Sequence, residues 1–303
     1  MAQAQTRSGA PTRTASRLAR LGALVAAVGG LTGCSAFGTL NALEPKGGLT
    51  ISRDIAYAPG PRGMLDVYSP KSANGHTPVV VFFYGGGWDS GNRIDYAFAG
   101  EALARKGLVA IVPDYRLYPE VRWPSFLQDS AKAVSWAKAH AADYGGDPGQ
   151  LFLMGHSAGA YNAVTLAVDR RWLEAEGLDP GRDLRGAIGL AGPYDFLPLR
   201  SDELKIIFGP EANRPDTQPI NHVDGHNPPL FLATDSADKV VDPGNTPRLA
   251  ARVHAAGGLV DTKVYQGLSH QLLMGAIAAP LRFLAPVLAD SVAFIRVHAG
   301  ETQ

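Results

Sequence analysis

The stretch Leu151-Phe152-Leu153-Met154-Gly155-His156-Ser157-Ala158-Gly159-Ala160 decides how the rest of the chain is read. An apolar run ends in G-x-S-x-G and a helix-like pattern follows at once. A strand is therefore expected to deliver Ser157 to a sharp turn, with a helix leaving on the other side. Gly155 and Gly159 flank the serine because any larger side chain there would crowd the strand and helix that meet at the turn. In that geometry the Ser157 hydroxyl stands exposed at the strand end, placed to attack a carbonyl carbon. One such motif is a weak signal in a glycine-rich chain. Its meaning depends on whether a site for developing negative charge, an acid and a histidine accompany it in the right order.

All three do. Ahead of the motif, Val79-Val80-Val81-Phe82-Phe83-Tyr84-Gly85-Gly86-Gly87-Trp88 reads as a strand running into a glycine turn. Attack by Ser157 puts negative charge on a carbonyl oxygen, which needs fixed N–H donors at about 2.7–3.1 Å. Glycines let the backbone approach that closely, so Gly86 and Gly87, with Ala158 after the nucleophile, are the expected donors. Behind the motif, Leu230-Phe231-Leu232-Ala233-Thr234-Asp235 is a strand entering a loop that also holds Asp238 and Asp242. A buried carboxylate is needed there to orient an imidazole, and the residues alone leave Asp235, Asp238 and Asp242 open, or capping the next helix instead. The last strand ends at Val264-Tyr265, and His270 follows in a short loop. Its place after the acid makes it the expected general base.

The remaining pattern fits one large α/β domain. Strands are expected at Ile51–Ala56, Leu65–Ser69, Val79–Tyr84, Leu108–Val112, Leu151–Gly155, Ala187–Ala191, Leu230–Thr234 and Thr262–Tyr265. The first two read as an antiparallel entry around the turn at Pro59-Gly60-Pro61-Arg62-Gly63. From Val79 onward, continuous apolar runs alternate with helical patterns near Tyr96–Arg105, Ser125–Asp143, Ala158–Val168, Pro247–Ala256 and Leu284–Val297. That alternation implies a mostly parallel eight-stranded sheet with helices on both faces. Ligands in such sheets bind at the carboxyl ends of the strands, where every motif above falls. The proline-containing segment 193–227 reads either as a lid over the pocket or as a long surface connection.

Composition sets the outer limits. The chain has 303 residues, 46% hydrophobic and 18% charged, enough for a substantial core. Its 28 basic and 28 acidic residues balance, but residues 1–33 hold Arg7, Arg13, Arg17 and Arg20 and no acid, so their removal leaves 24 against 28. That excludes a basic nucleic-acid footprint. The arginines precede a short apolar run, Leu21 to Thr32, as in an export signal. At about 1.5 Å per residue it is too short to cross about 30 Å of hydrocarbon. The run ends in Leu31-Thr32-Gly33-Cys34, which resembles the lipobox of bacterial lipoproteins, with Cys34 as the lipidated residue; the alternative is an ordinary signal peptide with an incidental cysteine. Ser35 follows rather than Asp. By resemblance to Gram-negative lipoproteins, the product is expected to be exported and anchored in the outer membrane on its periplasmic side. Cys34 is the only cysteine, so no intrachain disulfide forms. Residues 34–48 read as a flexible tether and 49–303 as the catalytic domain.

His222 and His226 are four apart, a metal-like spacing, but Pro219, Gly225, Pro228 and Pro229 argue against one helix carrying both. His156, inside the elbow, is expected to pack or bond locally. Trp88 and Trp123 either line a pocket or belong to the core.

Taken together, Tyr84-Gly85-Gly86-Gly87-Trp88, Asp114-Tyr115-Arg116-Leu117-Tyr118-Pro119-Glu120, Gly155-His156-Ser157-Ala158-Gly159, Ser236-Ala237-Asp238-Lys239-Val240-Val241 and Ser269-His270 resemble the α/β-hydrolase superfamily. The likeness is to its esterase/lipase branch, which includes hormone-sensitive-lipase-like and bacterial feruloyl-esterase-like proteins, and it covers Ile51 to Val297. The resemblance implies an α/β-hydrolase fold and selects Asp238 as the acid. It also implies a serine hydrolase that cleaves a small-molecule carboxylic ester through an acyl-enzyme on Ser157, with no metal or organic cofactor. Asp114-Tyr115-Arg116 would be structural, ending a strand beside the site. An amidase or arylformamidase on the same triad is the alternative, and a non-catalytic envelope binding protein is the alternative from another class. One departure stands out: the glycine turn of this branch opens with His, and here it opens with Tyr84.

Overall fold

The computed structural model describes residues 36–300. Eight strands form one sheet: β1 Leu49–Ala56, β2 Met64–Pro70, β3 Thr77–Phe83, β4 Val109–Pro113, β5 Gly146–His156, β6 Gly186–Leu190, β7 Leu230–Asp235 and β8 Val260–Tyr265. Their order is β1-β2-β4-β3-β5-β6-β7-β8. β2 is antiparallel to both β1 and β4, and β4 through β8 run parallel with β3. The all-apolar runs of β3 and β5 are buried because helices cover both faces.

The helices are α1 Ala36–Leu43, α2 Ala97–Ala104, α3 Ser125–His140, α4 Ala158–Val168, α5 Arg171–Glu174, α6 Pro180–Asp183, α7 Asp202–Ile207, α8 Asn245–Ala255, α9 His270–Gly275 and α10 Val287–His298. Every residue of α4 is buried. Its sequence is accordingly apolar all round. Its three polar groups are bonded: buried Asn162 accepts from Trp88 Nε1 at 3.1 Å, Thr165 donates to the Tyr161 carbonyl at 2.6 Å, and the Tyr161 hydroxyl donates to the Thr217 carbonyl at 2.7 Å.

Residues 36–43 form a helix rather than the flexible tether expected over 34–48. Asn41 fixes α1 to the domain, donating to the carbonyls of Ile94 and Asp95 at 2.8 and 3.2 Å and accepting from the Phe98 amide at 2.8 Å. Phe37 packs at a tilt against Tyr96 with ring centroids 4.8 Å apart. Buried Glu44 accepts from the Ala279 amide and from Arg282. These contacts reach 50 to more than 200 positions along the chain, which is why local composition did not announce them. Cys34 and the expected export signal lie outside the described residues.

Topology places the site. From β3 the chain turns toward β4, and from β5 it turns toward β6, on the other side. β3 and β5 are neighbours, so a crevice opens between their carboxyl ends, the usual ligand position in an open α/β sheet. The register pairs Phe83 with Gly155. Tyr84 to Gly87 therefore leave the sheet directly beside Ser157.

Candidate active site

Ser157 sits between the last residue of β5 and the first of α4 with φ 55° and ψ −122°. A serine holds positive φ only where its surroundings enforce it. Here its amide donates to the Leu190 carbonyl at 2.9 Å and its carbonyl accepts from the Tyr161 amide at 3.1 Å. The flanking glycines act as their spacing suggested. A Cβ on Gly155 would collide with the Gly159 carbonyl, and one on Gly159 with the carbonyls of Phe83 and Tyr84. Ser157 is the one residue of the run Leu151 to Ala160 that is not fully buried.

Gly86 and Gly87 adopt φ of 139° and 61°. Their amides donate to no protein acceptor among the described residues, and Ala158 opens α4, so its amide has no intrahelical acceptor. Gly87 and Ala158 line the same cleft wall as Ser157. Three unclaimed donors thus belong to residues lining the clefts that hold the serine. Tyr84, the departure noted in the sequence, braces this turn from behind. Its buried hydroxyl donates to Asp114 Oδ1 at 3.0 Å and accepts from Arg62 at 3.1 Å, while Tyr115 donates to its carbonyl at 2.7 Å. The Asp114-Tyr115-Arg116 triplet is structural at each position, since Arg116 also grips Asp129 through two nitrogens at 2.8 Å.

Of the three loop acids, Asp238 meets the histidine. Its Oδ2 lies 2.7 Å from His270 Nδ1, and its Oδ1 accepts from the amides of Val240 and Val241 at 2.8 and 3.0 Å. Burial alone would raise this carboxyl; the bonds from His270 and the two amides outweigh it and hold Asp238 below the usual carboxylate range. Asp235 instead braces the histidine loop, accepting from the amides of Ala237 and Leu268 at 2.8 and 2.9 Å. Asp242 turns outward to Gly244 and Arg248. His270 and Ser157 line one cleft together, with no hydrogen bond between their side chains among the described residues. Such contacts commonly tighten only when substrate is bound.

The site holds a residue whose part the sequence did not show. His156 is buried, its ring packs 4.7 Å from that of His270, and its Nε2 donates to the His270 carbonyl at 3.1 Å. Burial, then the neighbouring His270, push its pKa down to about 3, so it is neutral at ordinary pH. Its position beside Ser157 was visible; its partner, 114 residues on, was not. Trp88 lines the main cleft, whereas Trp123 packs edge-on against Trp172. His222 bonds the Asp216 carbonyl at 2.7 Å and His226 faces Asp224, so the two point to different partners.

Two clefts meet at Ser157. The larger, of about 750 Å³, is walled by Trp88 and Ala158, by the loop 238–243 and by the first part of the segment 193–227, from Pro193 to Leu204. The segment read as either lid or connection is thus a wall of the pocket. The smaller cleft, of about 430 Å³, lies on the other side of the serine against α1 and α9.

A strand–turn–helix serine, a carboxylate-held histidine and free amides at a topological switch point define the family geometry, and the sequence agrees. The BD-FAE family model matches residues 65–253. The chain belongs to the BD-FAE family, within the α/β-hydrolase esterases. It is 28% identical over 271 residues to an isoprenylcysteine alpha-carbonyl methylesterase of Arabidopsis thaliana, covering 83% of this chain and 63% of that one. It is 31% identical over 209 residues to the esterase LipC of Mycobacterium tuberculosis, covering 62% of this chain and 51% of the relative. The chain thus spans about half to two thirds of these relatives' lengths. In solved structures its fold resembles a phosphonate-inhibited esterase B from Lactobacillus rhamnosis, with TM-score 0.75, 19% identity and coverage of 96% and 97%. It also resembles a carbohydrate esterase from gut microbiota, with TM-score 0.74, 20% identity and coverage of 85% and 99%.

Proposed function

We propose that the protein hydrolyses small-molecule carboxylic esters with Ser157 as nucleophile, His270 as general base and Asp238 as the group that orients it. The observation that carries this reading is the buried 2.7 Å contact between Asp238 and His270 in a cleft shared with the elbow serine. His270 takes the Ser157 proton as Oγ attacks the ester carbonyl, and Asp238 stabilises the imidazolium that forms. The amides of Gly86, Gly87 and Ala158 receive the charge on the carbonyl oxygen, in a fixed array that needs no rearrangement during the reaction. His270 then gives its proton to the departing alcohol, leaving an acyl-enzyme that water cleaves by the same steps in reverse. Esterase names among the relatives support the reaction class. An active-site phosphonate should label the purified protein and fail to label Ser157→Ala; labelling that survives the substitution removes Ser157 from this role.

The proposal extends to location. Cys34 stands two residues before α1, so a lipid there would hold the domain close to a membrane surface. Metabolic labelling with a fatty-acid analogue should tag the wild type and not Cys34→Ser; equal tagging of both would overturn the anchor.

A further inference from the structure

We infer that the smaller cleft is the subsite for the alcohol half of the ester, that Phe37 of α1 sets its specificity, and that it takes aryl or branched-alkyl alcohols. The inference rests on ester hydrolysis by Ser157 and His270. In the tetrahedral intermediate the carbonyl carbon carries Ser157 Oγ, the oxyanion, the acyl chain and the leaving oxygen. The free amides take the oxyanion. The leaving oxygen must lie within hydrogen-bond reach of His270, because the C–O bond breaks as the imidazolium proton moves to that oxygen. His270 lines the smaller cleft and not the larger. The alcohol therefore departs on the α1 side, and the acyl chain lies along Trp88, Phe196 and Leu197 in the larger cleft.

The walls of the smaller cleft indicate what it accepts. Phe37 and Tyr96 present two aromatic rings, and Val240 and Met274 complete an apolar surface around the serine. Two adjoining rings and a thioether favour flat or branched apolar groups. Phe37 lies outside residues 65–253 matched by the family model, so this wall comes from the chain's own N-terminal helix. Asn41 and Glu44 hold that helix in place.

Two substrate series separate the subsites. One keeps butyrate and varies the alcohol, methyl against benzyl, which leave as alcohols of similar acidity. The other keeps ethanol and varies the acid, acetate against hexanoate. The readout is kcat/KM, which reports acylation, the step in which the alcohol leaves. Phe37→Ala should lower the benzyl-to-methyl ratio about fivefold, the size of one lost aromatic contact, while the hexanoate-to-acetate ratio holds. Phe196→Ala should do the converse. Phe37→Leu, which keeps apolar packing and removes the ring, carries the test should the alanine variant fail to fold. Ratios that move together in the Phe37 variants, an acyl ratio that moves alone, or no movement overturns the assignment. A wild type that turns over no ester overturns the hydrolytic reading instead, and the subsite with it.

Discussion

On the β3–β4 side of the cleft the chain buries a web of charge, whereas on the β7–β8 side it buries a single relay. In the web, Arg93 bonds Asp66 at 2.9 Å and Asp114 at 2.5 Å, and also reaches Asp54; its own amide donates to Asp114 at 2.8 Å. Asp114 in turn anchors Tyr84 and so the glycine turn. Several bonds hold each group, and losing one would leave others. In the relay, one bond joins Asp238 to His270 and one joins His156 to the His270 backbone. Both sides position groups of the proposed mechanism, but they do so with different physics. The web fixes backbone amides, which never change charge, so redundancy costs nothing in chemistry. The relay fixes an imidazole that, in the proposed mechanism, gains and loses a proton, so its partners are few and matched to that change.

The contrast is broken most sharply by Asp238→Asn. The amide oxygen can still accept from Val240 and Val241, so the loop should keep its shape, but the charge that stabilises His270 is gone. Ester turnover should fall about 10⁴-fold with little change in urea midpoint. A variant within tenfold of wild type would remove Asp238 from the relay. Arg93→Met should do the opposite. It leaves Asp66 and Asp114 buried without their main cation, a loss of about 3–5 kcal/mol, read as a lower urea midpoint, while kcat of the folded fraction changes far less. Equal effects on stability and turnover in both variants would erase the distinction between the two sides.

A smaller effect is expected at His156. His156→Gln removes a ring that packs on His270 and weakens a bond worth about 1 kcal/mol, so kcat should fall about fivefold with KM held. A change in KM alone would mean that His156 shapes the cleft rather than the base.

How much of this the sequence announced depends on how local each interaction is. The central strands β3 to β7 were legible because each carries a continuous apolar run between turn residues. β1, β2 and β8 were legible despite interrupting polar residues because turn residues bound them, and the start of α4 was legible because Gly155 and Gly159 mark the elbow. That Ser157 and His270 would share a cleft followed from chain order. Which carboxylate meets His270 was not legible from the residues: Asp235, Asp238 and Asp242 share one loop, and only the direction each side chain takes separates a brace, a relay partner and a surface group. The resemblance chose Asp238, and the 2.7 Å contact agrees with that choice. The docking of α1 was hidden for a different reason. Its eight residues include a glycine and no capping acid, and what makes them a helix is Phe37, Asn41 and Glu44 finding distant partners. Tyr84 in place of the usual histidine made sense only once Arg62 and Asp114 were seen on its hydroxyl.

The two sides should also answer pH with opposite signs. On the relay side, the pKa of His156 is depressed from 6.5 to about 3, by burial first and by His270 second. Between those values the unfolded chain binds the proton more readily, so the contribution of His156 is complete above pH 6.5 and is lost as pH falls toward 3. Behind the web, Glu101 is fully buried on α2 with no hydrogen bond to either oxygen, and Lys46 and Arg53 stand 4.0 Å away. Burial raises it from 4.5 to about 7 against the pull of those cations. Here the folded state binds the proton more readily, so the contribution is complete below pH 4.5 and is lost as pH rises through 7. Urea unfolding across pH 3 to 8 therefore separates them. Glu101→Gln, which mimics the protonated acid, should match the wild type near pH 4 and exceed it at pH 8. His156→Gln should flatten the acid limb and leave the neutral limb alone. A Glu101→Gln variant less stable than wild type at pH 8 would mean that Lys46 and Arg53 hold a charged carboxylate there, and the α2 side would then join the web as another ion pair.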